Sequence, residues 1–128
     1  MECSSSSKKA TVLVVDDDRD AREAMAELLE IEGFTVLAAA NGREALDLLK
    51  VENPSVVLLD LMMPVISGWE FLRRRKNKPK LAKIPVIVTS AVIDRAAASD
   101  AEGVDEFLVK PINIDKLLTL VKRFSAQV

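Results

Sequence analysis

This chain of 128 residues contains no histidine. That excludes catalysis by an imidazole of its own and zinc sites that depend on histidine. It has one cysteine, Cys3, in a polar N-terminal stretch. No disulfide can form within the chain, which fits a reducing compartment. No apolar run approaches the roughly 18 residues needed to span a bilayer. The start, Met1-Glu2-Cys3 and then four serines, lacks the apolar core of a signal peptide. The expectation is a cytoplasmic protein that does not meet a membrane. Glycine is scarce, and no glycine-rich phosphate loop follows the first apolar run, which argues against a nucleotide-binding loop. A formal net charge of −2 gives no electrostatic reason to expect nucleic acid as a partner.

What is present describes one soluble domain. The chain is 49% hydrophobic and 30% charged, and its length suffices for a single sizeable core. Residues 1–10 read as a flexible polar arm, and residues 11–126 as the domain. Within it, strand and helix patterns alternate five times. Strands are expected over Thr11–Asp16, Phe34–Ala39, Ser55–Asp60, Ile84–Thr89 and Glu106–Val109. Helices are expected over about Arg19–Glu32, Arg43–Val51, Gly68–Lys76, Asp94–Ala101 and from the cap Asn113 to Phe124. Ala21, Met25, Leu28 and Leu29 supply the first helix's apolar stripe, and Gly33 a suitable stop. Alternation of this kind predicts an α/β fold, a parallel sheet with helices on both faces.

Three short polar pieces stand out. Asp16-Asp17 follows Thr11–Val15, Asp60 follows Val56–Leu59, and Lys110-Pro111 follows Phe107–Val109. Each ends an apolar run, where a buried parallel strand leaves its sheet. Open α/β sheets place ligand sites outside those carboxyl ends. Three carboxylates and one ammonium should therefore meet at one edge. Clustered carboxylates repel, and one is driven to hold a proton unless a cation neutralises them. The pattern implies a metal-dependent site with an Asp at its centre.

Four pieces in order carry a family resemblance: Val12-Leu13-Val14-Val15-Asp16-Asp17-Asp18; Leu58-Leu59-Asp60-Leu61-Met62-Met63-Pro64 with Gly68; Pro85-Val86-Ile87-Val88-Thr89-Ser90-Ala91; and Phe107-Leu108-Val109-Lys110-Pro111. Over about residues 10–126 the chain closely resembles the receiver domain of bacterial two-component response regulators, including stand-alone, chemotaxis-regulator-like ones. The resemblance implies a flavodoxin-like, doubly wound five-stranded sheet of order 2-1-3-4-5 with five helices. It also implies a role for each polar residue. Asp60 would accept the phosphoryl group; read alone, it is more often a helix-capping Asp after a strand. Asp17, Asp60 and the backbone carbonyl of Met62 would bind Mg²⁺, with Asp16 acting through a metal-bound water. Asp18 is expected to cap the first helix instead. Lys110 would pair with a phosphoryl oxygen, and the bond before Pro111 is expected to be cis. Ser90 is chosen as the switch hydroxyl over its neighbour Thr89, since strand alternation lets only one reach the site. Phe107 stands where the family often has a switching aromatic, and a core phenylalanine is the competing reading. Met62 and Val92 depart from the family, being apolar where residues flank the phosphoryl group. Ile66 replaces a frequently acidic loop residue.

The resemblance implies a phosphoacceptor module in two-component signalling, not an enzyme acting on other substrates. A histidine kinase or phosphotransfer protein would supply the phosphoryl group. A downstream protein would read the face built from the expected fourth helix, fifth strand and fifth helix. Two other functional classes fit the residues less well. An aspartyl-nucleophile phosphohydrolase commonly carries a second acid two residues after its nucleophile, and here that position is Met62. A phosphate-independent interaction module has no need of the acidic pair with Lys110. The basic run Arg73-Arg74-Arg75-Lys76 reads as favourable charge at a helix C-terminus, not a nucleic-acid patch.

Overall fold

In the computed structural model, residues 10–60, 68–90 and 104–125 are described. In chain order these are β1 (Thr11–Val15), α1 (Arg19–Ile31), β2 (Thr35–Ala39), α2 (Gly42–Leu49) and β3 (Val56–Asp60). Then come α3 (Gly68–Lys76), α4 (Pro79–Ala82), β4 (Val86–Ser90), β5 (Glu106–Val109) and α5 (Ile114–Ser125). The strands form one parallel sheet in the order β2-β1-β3-β4-β5. The implied topology is therefore observed. The helix expected over Asp94–Ala101 lies outside the described residues, as do Met62, Ile66 and Val92. The short α4 was not anticipated, although Pro79 at a first helical position is a recognisable start signal.

Residue type explains which strands are central. Every residue of β3 is buried, as are Val12 to Val15 of β1. Helices cover both faces of these strands, so both faces are apolar and the sequence reads as a continuous run rather than an alternation. One face packs Leu13, Val15, Val57 and Leu59 against Ala45 and Leu49 of α2 and Phe71 of α3. The other packs Val12, Val14 and Leu58 against Leu29 of α1 and Leu117, Val121 and Phe124 of α5. The α5 positions recur at three and four residues, the period of one helical face. Ala21, expected in the α1 stripe, is exposed instead: it sits in the first turn, at the sheet edge, before the helix has run under the core.

Local signals fix the ends. The Asp18 side chain caps α1, accepting from the N–H groups of Asp20 and Ala21. Asn41 caps α2 through the Glu44 N–H at 2.9 Å, and Glu44 reaches back to the Ala40 N–H, so two otherwise orphaned donors are satisfied. Asn113 caps α5 through Lys116 N. Gly33, at φ 99°, turns the chain out of α1. β4 begins at Val86, not Ile84: the Ile84 N–H is committed to the Leu81 carbonyl at 3.1 Å and Pro85 has no N–H to donate. Arg75 of α3 is 2% exposed and donates Nη2 to the carbonyls of Ala82 and Ile84. Burial lowers the pKa of its guanidinium, and Asp105 opposes that shift. Asp105 in turn accepts the Val86 N–H at 2.9 Å. One member of the basic run is thus a buried structural pin, a role that sequence position did not reveal.

Arg75→Met should therefore leave two carbonyls without their donor and destabilise the protein by about 2–3 kcal/mol. Urea denaturation followed by circular dichroism measures this, and a loss no larger than that of Arg73→Met would show that the pin carries no weight.

Candidate functional site

The strand order makes the site. β1 and β3 are neighbours, and register pairs Val15 with Leu59. Asp16 and Asp60, one residue further on each strand, therefore leave the sheet side by side. β4 pairs Asp60 with Thr89 and then Ser90 with Val109 of β5, so Lys110 emerges at the same edge. Carboxylate oxygens of Asp16, Asp17 and Asp60 lie within 4.8 Å of one another. Lys110 Nζ stands 3.5 Å from Asp60 Oδ2 and 3.7 Å from Asp16 Oδ2. The four groups that the sequence placed at one edge do converge there.

Their exposures differ. Asp16 and Asp60 are buried, at 8% and 6%, and Asp17 is exposed. Asp16 is held on several sides: its N–H donates to the Ala39 carbonyl at 3.1 Å, and its Oδ1 accepts from Asp18 N at 2.9 Å. Arg22 Nη1 holds its carbonyl at 2.8 Å. Arg22 was not foreseen; its only signal is a first-turn arginine close behind the acidic run. Burial raises the Asp16 pKa above the usual carboxylate range, and the charges of Asp60 and Asp17 add to that. The Asp18 N–H and Lys110 oppose it. One lysine does not balance three acids, and this donor set of hard oxygens suits a divalent cation such as Mg²⁺.

The remaining expected residues fall as follows. The Lys110–Pro111 peptide is cis. Ser90 closes β4 beside this edge. Thr89 is buried and lines a cavity of about 390 Å³ with Val14, Leu58 and Lys110. Phe107 is half-buried and packs against the core on the α2–α3 face.

The comparisons with known proteins agree with this geometry. The model of the response regulator receiver domain matches residues 12–122. The chain belongs to the response regulator receiver domain family. Among curated relatives, response regulator MprA of Mycolicibacterium vanbaalenii is 40% identical over 114 residues, 87% of this chain but 48% of that protein. This receiver domain thus spans about half the length of such relatives. It matches 88% of an uncharacterised 14.6 kDa protein of Leptolyngbya boryana at 38% identity. Among solved structures, chemotaxis protein CheY4 of Vibrio cholerae superposes with TM-score 0.83 at 30% identity, covering 91% of this chain and 98% of that one. TrrA of Thermotoga maritima, solved in complex with Mg²⁺–BeF, superposes with TM-score 0.80 at 35% identity, covering 90% and 98%. The fold is the flavodoxin-like one of these receiver domains, and the family is not a classical enzyme family. Among the described residues no helix is long and apolar enough to cross a membrane.

The raised Asp16 pKa sets a testable sign. A carboxyl whose folded pKa lies above its unfolded value binds more protons in the native state, so stability falls as pH rises through the window just above the ordinary carboxylate range. At neutral pH the ionised Asp16 is then a net cost to the metal-free receiver. Asp16→Asn keeps an acceptor for Asp18 N and should melt at a higher temperature in EDTA at pH 7. The advantage should shrink towards pH 4. A variant that melts lower than the parent at every pH would refute this.

Proposed function

We propose that Asp60 accepts a phosphoryl group from a phosphohistidine on a partner histidine kinase or phosphotransfer protein. The convergence of Asp60 with Asp16, Asp17 and Lys110, in a receiver-domain frame, is the observation that carries this reading. A carboxylate oxygen of Asp60 attacks phosphorus, the P–N bond to the donor imidazole breaks, and an acyl phosphate forms. Asp16, Asp17 and Asp60, with the Met62 carbonyl that the resemblance implies, would hold Mg²⁺, which would supply positive charge against the phosphoryl oxygens. The Lys110 ammonium, already 3.5 Å from Asp60, supplies a second positive charge. Such positioning and charge neutralisation are most of what phosphoryl transfer requires of a protein.

The added charge and acceptor oxygens then draw Ser90 and the segment after β4 towards the site. That shifts a pre-existing equilibrium rather than making a new fold. Phe107, half-buried on the edge strand β5, follows by repacking, having no hydroxyl to exchange. A downstream protein reads the change on the face of β5, α5 and the helix expected over Asp94–Ala101. The domain proper is residues 11–126, acts in the cytoplasm, and transfers phosphate only to and from its own Asp60. Met62, where a second acid would stand, disfavours a phosphohydrolase, and the complete set of acids and lysine disfavours a phosphate-independent module.

With acetyl phosphate and Mg²⁺, intact mass should rise by one phosphoryl group, and Asp60→Asn should abolish this. Full labelling of that variant would overturn the assignment. The lifetime of the phosphate is a separate outcome. Hydrolysis needs a water held in line with phosphorus, and neither Met62 nor Val92 can hydrogen-bond one. Met62→Asn with Val92→Glu should speed dephosphorylation about tenfold, which requires only about 1.4 kcal/mol of barrier. Decay of labelled protein after donor removal measures this, and equal decay rates would show that these two side chains do not govern water access.

A further inference from the structure

The net charge of −2 conceals a segregation. Seven of the 18 Lys and Arg residues fall between Arg73 and Lys83, with no acid among them. That leaves 11 cations against 20 acids over the rest of the chain. Arg75 is consumed by the fold, and Arg73 and Arg74 pair with Glu70 at 2.6 and 3.1 Å. Lys78 and Lys80, with Arg74, face α2 across a groove of about 990 Å³. Its floor is the margin of the core, with half-buried Leu46 beside Leu49 and Leu81. Its walls carry Arg43, Lys50, Lys78 and Lys80. The one carboxylate lining it, Asp47, is paired with Lys50 at 3.3 Å. Among the described residues, Arg43, Lys78 and Lys80 have no carboxylate partner, and all three are exposed.

We infer that this α2–α3–α4 groove docks an acidic amphipathic segment of a partner protein. Unpaired like charges gathered around a concavity repel one another, and an acidic ligand relieves that repulsion while steering its own approach. The leucine floor takes apolar side chains at helical spacing, and the cationic rim takes the Glu and Asp of the opposite face. Long lysine stems suit this, since they cover apolar surface while the ammonium stays in water. An acidic protein segment is favoured over nucleic acid because the described lining holds no aromatic side chain on which a base could stack. α3 runs back from the phosphoacceptor edge, so the mouth near Lys78 and Lys80 lies towards the strand-entry edge. A partner there leaves the acidic site open to a phosphodonor.

The probe is a fluorescein-labelled amphipathic peptide of about 15 residues, Leu on one face and Glu on the other, titrated by anisotropy against the full chain. The expected result is saturable binding that weakens steeply between ~50 mM and ~300 mM salt. Arg43→Glu with Lys78→Glu should lose about tenfold or more in affinity, the scale of two rim charges each reversed. Lys116→Glu with Lys122→Glu on α5, an equal change in net charge, should bind as the parent does. Circular dichroism of each variant checks that the fold is kept. Asp60→Asn should also bind as the parent does, so failure of the phosphoacceptor assignment and failure of this one are separable. Absence of binding, equal loss in both double variants, or displacement of the peptide by a single-stranded oligonucleotide would each overturn the inference. So would a concentration-dependent dimer in analytical ultracentrifugation that Arg43→Glu with Lys78→Glu abolishes, which would assign the groove to a second copy.

Discussion

The governing constraint is the enforced proximity of three carboxylates at one edge of a parallel sheet. It follows from strand order, because β1 and β3 are adjacent, β3 ends in Asp60, and Asp16-Asp17 follows β1 directly. Burial makes the proximity costly, and that is why Asp16 resists ionisation. Lys110 crosses back from β5 to within 3.5 Å of Asp60 and offsets part of the repulsion. The remainder is a standing preference for positive charge, which a divalent cation is suited to meet. The buried strands on either side hold these repelling groups together.

Much of this was legible in the sequence because parallel strands buried on both faces write themselves as apolar runs. Val56–Leu59 before Asp60 and Thr11–Val15 before Asp16 located the site without any knowledge of pairing. Caps were equally readable: Asp18, Asn113 and Gly33 act on their own neighbours in sequence. What escaped were contacts set by tertiary distance. The Arg22 bond to the Asp16 carbonyl spans six residues, and the Arg75 bond to Ile84 spans nine. Neither has a local pattern. In a run of four basic residues, nothing in the sequence marks Arg75 as the one that turns inward; only the helical phase relative to Phe71 and Leu72 bears on it.

Arg75 also separates the two ends of the sheet in physical character. At the entry edge, its guanidinium and Asp105 tie α3, α4 and β4 together with side-chain bonds to backbone. Buried polar groups with specific partners make such an edge costly to rearrange. At the exit edge, the site is held by repelling charges whose balance changes with protonation or a bound ion. Any conformational response to charge is therefore expected at the exit edge, with the entry edge as the fixed frame.

Charge follows the same polarity. The acids that define the exit edge and the cations of Arg73 to Lys83 sit on different elements, and the near-neutral total comes from their cancellation. Total charge is a weak guide to partners when the signs are segregated over more than a Debye length, about 8–10 Å at ordinary salt. A partner near either region then responds mainly to the local field. One domain can present a cation-seeking, phosphate-accepting edge and an anion-seeking groove at once. Binding at one need not perturb the other unless the frame between them moves, and Arg75 is the group that resists that movement.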